Sequence, residues 1–375
     1  MGAQEQLRLD VITKVVMGQL NREQAKSVLD VSDRTVGRYV ENYRRRGILF
    51  VKHGNFERAP VNKISADIKK RAMSLMSEKY FDFNMSHCLE KLAECEGVHI
   101  RRETFRKWCH EIGMVKRAKR RRAKARYRRE RMSQTGLMIQ MDGSPHRWFG
   151  DKPSCLITSI DDADNDIPYA EFFLSEDTLS CMKVLQRLIE KKGIFHLLYV
   201  DKAGIFGGSK RANFSQVKRA LRELGIQVIF ANSAEAKGRV ERSHQTMQDR
   251  LIPEMRIRNI RSFQAANCFL REQFLPNDYR KKFTVIPSNL QSAYRPVLLG
   301  IDLKEIFCIK EHRTVKRDHT LSWNSQVYSL ISPVKYSIYK QQVELRTYQD
   351  LTWKAFFAGQ EILLTPVTQP LRKAG

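Results

Sequence analysis

The sequence predicts a multidomain chain of α plus α/β class, helical in its N-terminal third, α/β beyond it, and ending in a small β-barrel. Three observations carry this. Apolar residues recur at helical spacing as far as Ile112. From Lys116 to Arg131 eleven Lys/Arg stand against one acid, Glu130, a local excess of +10. From Leu137 onward the pattern becomes short apolar runs separated by Gly/Pro/Asp-rich turns. The expected divisions are 1–60 and 61–115 for two helical domains, 116–133 for a basic linker, 134–260 for an α/β core, 261–305 for a helical connector and 306–375 for the barrel.

Charge narrows the class of partner. Across 375 residues, 67 Lys+Arg against 41 Asp+Glu leave +26, which points to a polyanion. A content of 42% hydrophobic residues suffices for folded cores and excludes a disordered basic tail. No run of about 18 apolar residues occurs and MGAQEQLRLD has no apolar h-region, so neither a membrane span nor a signal peptide is expected. The expected location is the cytoplasm, associated with the nucleoid. Seven cysteines without a C-x-x-C pair argue for reduced thiols. The basic residues sit among short helical patterns and not on one long basic amphipathic helix, which disfavours a membrane surface as the anion.

In the first helical domain Val11, Val15 and Val16 mark one helix. Asn21 with Gln24 forms a capping box for a second, with Ala25 and Val28 on its inner face. Ser32 caps a third, carrying Val36, Tyr39, Val40 and Tyr43 and stopped by Gly47. This is a helix-turn-helix pattern whose second helix presents Asp33, Arg34, Gly37 and Arg38, where such helices read base edges. The pattern returns with Ile68, Ala72 and Met76, then Leu89, Leu92 and Ala93, a turn at Gly97, and Phe105, Trp108 and Ile112. Its outer face carries Arg101, Arg102, Thr104, Arg106 and Lys107, suited to phosphate. His87, Cys88, Cys95, His99, Cys109 and His110 lack zinc-ligand spacing and are assigned to core and surface. The basic run, with Arg120, Arg121 and Arg122 at its centre, would add affinity with little sequence preference.

Beyond the run, Leu137–Asp142, Cys155–Ile160 and Tyr169–Leu174 read as three consecutive strands. Thr178–Lys192 is a helix with Met182, Leu185, Leu188 and Ile189 inward and Gly193 closing it. Phe195–Asp201 is a fourth strand, Phe214–Leu224 a helix, Ile226–Ala231 a fifth strand and Lys237–Met255 a long helix. The order β-β-β-α-β-α-β-α is that of an RNase H-like catalytic core. Alternating residues from Val327 to Trp353 suggest the C-terminal barrel.

Strand cleavage and joining use two Mg²⁺ ions roughly 3.5–4 Å apart, held by carboxylates converging from different elements. Asp142 ends the first strand, Asp201 ends the fourth and Glu241 lies in the first turn of the long helix, so these three are the candidate set. Asp161, Asp162, Asp164 and Asp166 share one loop and read as solvated surface. Glu241, His244, Gln245 and Gln248 form one polar stripe of the helix, while Val240, Met247 and Leu251 form an apolar one. His244 reads as a hydrogen-bonding neighbour. Lys237 and Arg239, at the positive end of that helix, suit a phosphate. Trp148 reads as a core anchor placed, with His146, on a turn. Gly207-Gly208-Ser209-Lys210 lacks the spacing of an ATP phosphate loop.

Three segments carry a resemblance. Gln140-Met141-Asp142-Gly143-Ser144-Pro145-His146-Arg147-Trp148-Phe149, Tyr199-Val200-Asp201-Lys202 and Ala236-Lys237-Gly238-Arg239-Val240-Glu241-Arg242-Ser243-His244, with Thr246-Met247-Gln248-Asp249-Arg250-Leu251, are similar to the ISNCY-type bacterial insertion-sequence transposases of the retroviral integrase superfamily. The similarity extends over nearly the whole chain, Tyr80-Phe81-Asp82-Phe83 and the basic linker included. It implies a DDE transposase with an integrase catalytic core, Asp142, Asp201 and Glu241 as the acidic triad and two Mg²⁺ (or Mn²⁺) ions as cofactor. Ala203 stands where the family often has His, and His244 where it often has Asn, and members tend to be longer at the C-terminus. The implied activity is binding of terminal inverted repeats followed by metal-dependent DNA strand cleavage and strand transfer. Double-stranded DNA, as element ends and target, and a homo-oligomer on that DNA are the expected partners. The rival expectation is a catalytically silent DNA-binding regulator of the same fold.

Overall fold

The computed structural model describes residues 2–52, 63–114, 129–150, 152–201, 215–231, 238–331 and 336–367. Arg120, Arg121, Arg122, Ala203, Gly207–Lys210 and Lys237 lie outside the described residues. The chain divides into two compact units, Met1–Arg71 and Ala72–Gly375.

In the first unit α1 (Ala3–Val16), α2 (Arg22–Leu29) and α3 (Asp33–Arg46) close around Val11, Ile12, Ala25, Val36, Val40, Phe50 and Val51. The capping box forms as expected: Asn21 N donates to Gln24 Oε1 at 2.9 Å and Gln24 N to Asn21 Oδ1 at 2.8 Å. Asp30 in the left-handed region (φ 48°) ends α2, and Ser32 Oγ then accepts from Thr35 N to open α3. Val28 stands outside, against expectation: α2 turns inward on Ala25 and Leu29, one helical turn apart, and the intervening residue faces water.

The second unit begins with helices α4 (Ala66–Glu78, whose first turns belong to the first unit), α5 (Met85–Glu96) and α6 (Arg102–Glu111). Ala72, Met76, Cys88, Leu92, Phe105, Trp108 and Cys109 are buried, while Ile68 and Ile112 are exposed. The inward residues of α5 are His87, Cys88, Lys91 and Leu92 in place of the expected Leu89, because α5 packs on a second partner described below.

The centre of this unit is a five-stranded sheet. Strands β1 (Met138–Phe149), β2 (Lys152–Asp161) and β3 (Tyr169–Phe173) are antiparallel, and β4 (Leu197–Val200) and β5 (Gln227–Phe230) join parallel to β1, in the order β3-β2-β1-β4-β5. Helices α7 (Thr178–Lys192) and α8 (Gln216–Glu223) cover the face bearing Ile139, Met141 and Ile157. Helix α9 (Gly238–Ile257) and α10 (Phe263–Phe269), continued as a π-helix to Tyr279 and then α11 (Arg280–Phe283), cover the face bearing Leu156, Ile160 and Phe172.

Two expectations are corrected here. β1 does not end at Asp142 but runs on through Phe149, so His146 and Trp148 lie in a strand. The turn is confined to the residues around Gly150 (φ 75°), because Pro145 is accommodated opposite Cys155 and the register breaks only between His146 and Phe149. The acidic loop after β2 is not solvated: Asp161, Asp162 and Asp166 are buried.

The chain beyond Phe283 is irregular as far as Asp302, then short helix α12 (Leu303–Ile306) leads into β6 (Ile309–Thr314), β7 (Thr320–Trp323), β8 (Gln326–Leu330), β9 (Gln342–Thr347), β10 (Trp353–Phe357), β11 (Gln360–Ile362) and β12 (Leu364–Pro366). The expected barrel is corrected: among the described residues the strands form two open sheets, β11-β10-β9-β6 and β12-β8-β7, with no ladder joining them. Closure needs a continuous hydrogen-bonded ladder around the ring, and here the sheets share side chains, Leu321, Trp323, Val343 and Leu345 among them.

The second partner of α5 is α9. Arg250 donates to both oxygens of Glu90, and Glu254 accepts from His87 and Lys91. Burial alone would push both carboxyls up, but Arg250 and Lys282 around Glu90, and His87, Lys91 and Arg258 around Glu254, outweigh it and hold each at about 2. Folded values below the ordinary 4.5 mean that the pairs contribute fully above that pH and lose their contribution as pH falls toward 2. The melting temperature of the native chain should therefore drop more steeply over this range than that of Glu90→Gln. Parallel curves would refute the assignment.

Candidate functional site

The candidate site is built on the α9 face of the sheet. Side chains alternate along a strand, and with Ile139 and Met141 committed to the α7 core, Gln140, Asp142 and Ser144 point to the opposite face. On β4, Leu198 and Val200 join the same α7 core, which turns Tyr199 toward the α9 face. The parallel register pairs Gln140 with Tyr199; Asp142 follows two residues on within β1, and Asp201 two residues on, just past the end of β4. Asp201 is exposed and the Asp142 side chain is 23% exposed. The register thus carries both acids to the same end of the β1–β4 pair.

α9 is fastened along β1 and β2 at three levels. Arg239 pairs with Asp162, His244 Nε2 meets Thr158 Oγ1 at 2.7 Å, and Gln248 Nε2 donates to Ser144 Oγ at 3.0 Å. Thr158 is the cross-strand partner of Asp142. The apolar stripe Val240, Met247 and Leu251 is fully buried beneath, as its spacing predicts. Glu241 is exposed, one turn before His244. His244 is itself buried, with Nδ1 3.8 Å from Asp142 Oδ2. The Thr158 contact holds the imidazole ring in place, and Nδ1 faces the carboxylate of Asp142.

One acid was not legible from sequence. A Cβ added at Gly143 would collide with the Glu176 carboxylate and stand 3.0 Å from Cys155 Sγ, so the Glu176 carboxylate lies against the backbone next to Asp142. Burial first, then Glu176 and Asp142, push the Cys155 thiol up to about 12. Burial, Glu176, Asp177 and, more weakly, Asp201 push Cys181 up as well. Beside this point opens a cleft of about 540 Å³ lined by Pro145, His146, Arg147, Leu174 and Glu176. Ser175-Glu176-Asp177 carries only the signature of a helix cap, with Asp177 accepting from Ser180 N at 2.9 Å.

The other sequence candidates are distributed as follows. Arg34, Arg38, Arg101, Arg102, Arg106 and Lys107 are exposed, Arg106 with Glu103 on its own helix at 2.8 Å. Arg239 is tied to Asp162 and to the Arg129 carbonyl at 2.6 Å, so its guanidinium is already engaged within the protein. Trp148 is buried and donates to Ser144 O at 3.0 Å, as a core anchor should. Oxygen donors on one sheet face match the ligand chemistry of Mg²⁺ or Mn²⁺. Among the described residues no three His, Cys, Asp or Glu side chains already stand together as a metal-holding group.

Fold and site define an acid-bearing α/β core joined to basic helical segments. No family model matches the sequence. A protein of Sinorhizobium fredii (strain NBRC 101917 / NGR234) described as putative transposase y4bF is 33% identical over 362 residues, covering 92% of this chain and 78% of that protein. The transposase for insertion sequence IS1202 of Streptococcus pneumoniae is 29% identical over 300 residues, 69% of this chain and 64% of that protein. The chain belongs to this transposase family. Among solved structures, the HTLV-2 integrase catalytic core domain in complex with magnesium matches 40% of this chain and 98% of that one, at 14% identity and a TM-score of 0.30.

Proposed function

We propose that this transposase is of the DDE type, with an RNase H-like core whose acidic triad is Asp142, Asp201 and Glu241. The observation that supports it best is the register: Asp142 and Asp201 follow Gln140 and Tyr199 by the same two residues on neighbouring parallel strands, and α9 is fastened over that face with Glu241 at its open end. The reaction is cleavage at the element's terminal inverted repeats to free a 3′-OH, followed by attack of that hydroxyl on target DNA.

The three carboxylates would hold two Mg²⁺ or Mn²⁺ ions, which supply activation of the attacking oxygen and neutralisation of charge on the leaving one. The protein's own contribution is orientation. His244, braced on Thr158, keeps the Asp142 carboxylate in one rotamer, and Gln248, bonded to Ser144, holds α9 at constant height above β1. The two helical segments are read as helix-turn-helix domains, with Arg34 and Arg38 at base edges and Arg101, Arg102, Arg106 and Lys107 on phosphates. Arg120, Arg121, Arg122 and Lys237 would extend the phosphate track, and Arg239 would do so only by leaving Asp162. Action on two ends implies a homo-oligomer on DNA, in the cytoplasm at the nucleoid.

The full chain, incubated with duplex ends of the element, Mg²⁺ and a supercoiled target, should yield junctions in which the terminal 3′ ends are joined to target strands, and chelation with EDTA should abolish them. Tight end binding with no junctions at any Mg²⁺ or Mn²⁺ concentration would support the regulator instead.

A further inference from the structure

α5 reaches α9 through charged side chains, of which Glu254, His87, Lys91 and Arg250 are nearly shut off from water. The Glu254 side chain is 2% exposed; its Oε1 accepts from His87 Nε2 at 2.7 Å and Lys91 Nζ at 2.8 Å, and its Oε2 pairs with Arg258. One turn earlier, Arg250 holds Glu90 through both terminal nitrogens at 2.7 and 2.9 Å, and Lys282 of α11 meets the same carboxylate at 2.8 Å. Near the end of α9, Arg256 grips Asp82 at 2.7 and 2.6 Å and lies 4.3 Å from the centroid of the Phe81 ring.

Such an interface is a poor way to gain stability. Desolvation of buried ions costs about as much as their attraction returns, and packed apolar side chains of the same volume do as well or better. Nδ1 of His87, buried and without a hydrogen-bond partner among the described residues, adds a further cost. What the charges supply is a single register. Sliding α5 by one turn along α9 would strand Glu254 away from its cations inside the protein and part Glu90 from Arg250, whereas an apolar seam tolerates such slippage.

That register connects two functional surfaces. α6 packs against α5, buries Phe105, Trp108 and Cys109 and leaves Arg101, Arg102, Arg106 and Lys107 exposed. α9 carries Glu241 thirteen residues before Glu254, about 20 Å along the helix, and is fastened to the sheet between them.

We propose that Glu90, Glu254, Arg250, His87 and Lys91 form a positioning clasp. It fixes the basic face of α6 at one distance from the acidic triad, so that DNA held by α6 presents its scissile phosphate at one place. The inference rests on the transposase reading above, and its residues touch neither DNA nor metal.

The test uses the full chain, since Cys95 on α5 and Cys268 on α10 are exposed while the other five cysteines are buried. Spin labels on these two report the spacing of module and core without reference to activity. The native chain should give one narrow distance, Arg250→Glu a broad distribution, and Glu90→Arg with Arg250→Glu a narrow one again. Mapped at nucleotide resolution, end cleavage by Arg250→Glu should fall by on the order of 100-fold and scatter over several positions. End affinity should change by less than about threefold, and the swapped pair should recover the native cut. If Arg250→Glu does not fold, Asp82→Arg with and without Arg256→Asp serves at the more exposed pair. A broad native distance, or Arg250→Glu as narrow and as accurate as the native chain, overturns the clasp. A native chain with a narrow distance but no cleavage would instead defeat the transposase reading and leave the clasp standing as a fixed joint.

Discussion

Asp142→Asn is expected to lose strand cleavage and joining by on the order of 10³-fold or more while binding element ends as the native protein does. The amide has the volume of the carboxylate and can still meet His244, so neither β1 nor the seat of α9 should move. What disappears is the negative charge on an oxygen donor. Charge stabilisation by a held metal is worth several kcal/mol, and at about 1.4 kcal/mol per tenfold in rate, a loss of ~5 kcal/mol is ~10³–10⁴. The Asp142 side chain is 23% exposed and lies outside both apolar cores, so the melting temperature should stay within about 2 °C of native. The measurement is transfer of labelled end DNA to plasmid in Mg²⁺, beside a mobility shift on the same duplex. Joining by Asp142→Asn at the native rate would remove this residue from the triad. Under the proposed assignment Asp201→Asn and Glu241→Gln should behave alike, since residues that act as one unit give losses that do not add.

Which parts of this were legible in sequence follows from the range of the interactions involved. α7 was readable to its ends, since Met182, Leu185, Leu188 and Ile189 repeat every turn and Gly193 stops the helix, all within fifteen residues. The Asn21–Gln24 box and the Ser32 cap were equally local. Asp142 and Glu241 could be singled out because each adjoins an element whose apolar pattern is strong. The continuation of β1 past Asp142 could not, because Gly143 and Pro145 are turn residues by propensity and only pairing with β2 makes them strand. Glu176 was silent for a related reason. Its approach to Gly143 spans 33 positions and leaves no periodic trace.

Charged residues are the least legible in sequence. A local excess of like charge reads as solvated surface, and burial is decided by partners from elsewhere in the chain. Sequence suggests a phosphate ligand in Arg239 and a solvated acid in Asp162, yet the two are paired across 77 positions. Lys91 and His87, unremarkable in a helical pattern, are buried on Glu254, 163 and 167 positions away. Strand alternation in the C-terminal segment was visible, but closure into a barrel depends on register and stagger that alternation does not encode.

The second large effect should come from the buried acidic loop after β2. Asp162→Ala is expected to destabilise the second unit by ~3 kcal/mol, the lower end of what breaking a buried ion pair costs, because Arg129 and Arg239 keep partial access to water. Asp162 is fully buried. Its Oδ1 accepts from Gln140 Nε2 at 2.6 Å and pairs with Arg129 and Arg239, and its Oδ2 accepts from Met132 N at 2.9 Å. Burial would raise this carboxyl, yet Arg129, the Met132 amide and Arg239 hold it below its ordinary value, so it stays ionised in the folded chain. Alanine leaves the buried Gln140 amide and the Met132 N–H without their acceptor, and it frees the first turn of α9, where Glu241 sits. At about 2–4 °C per kcal/mol the melting temperature should fall by roughly 6–12 °C. Asp249→Ala, on the exposed side of the same helix, should change stability by no more than about 0.5 kcal/mol. If the two variants melt together, the carboxylate of Asp162 is surface after all, and the route by which residues 129–132 and α9 are joined to the sheet must be sought elsewhere.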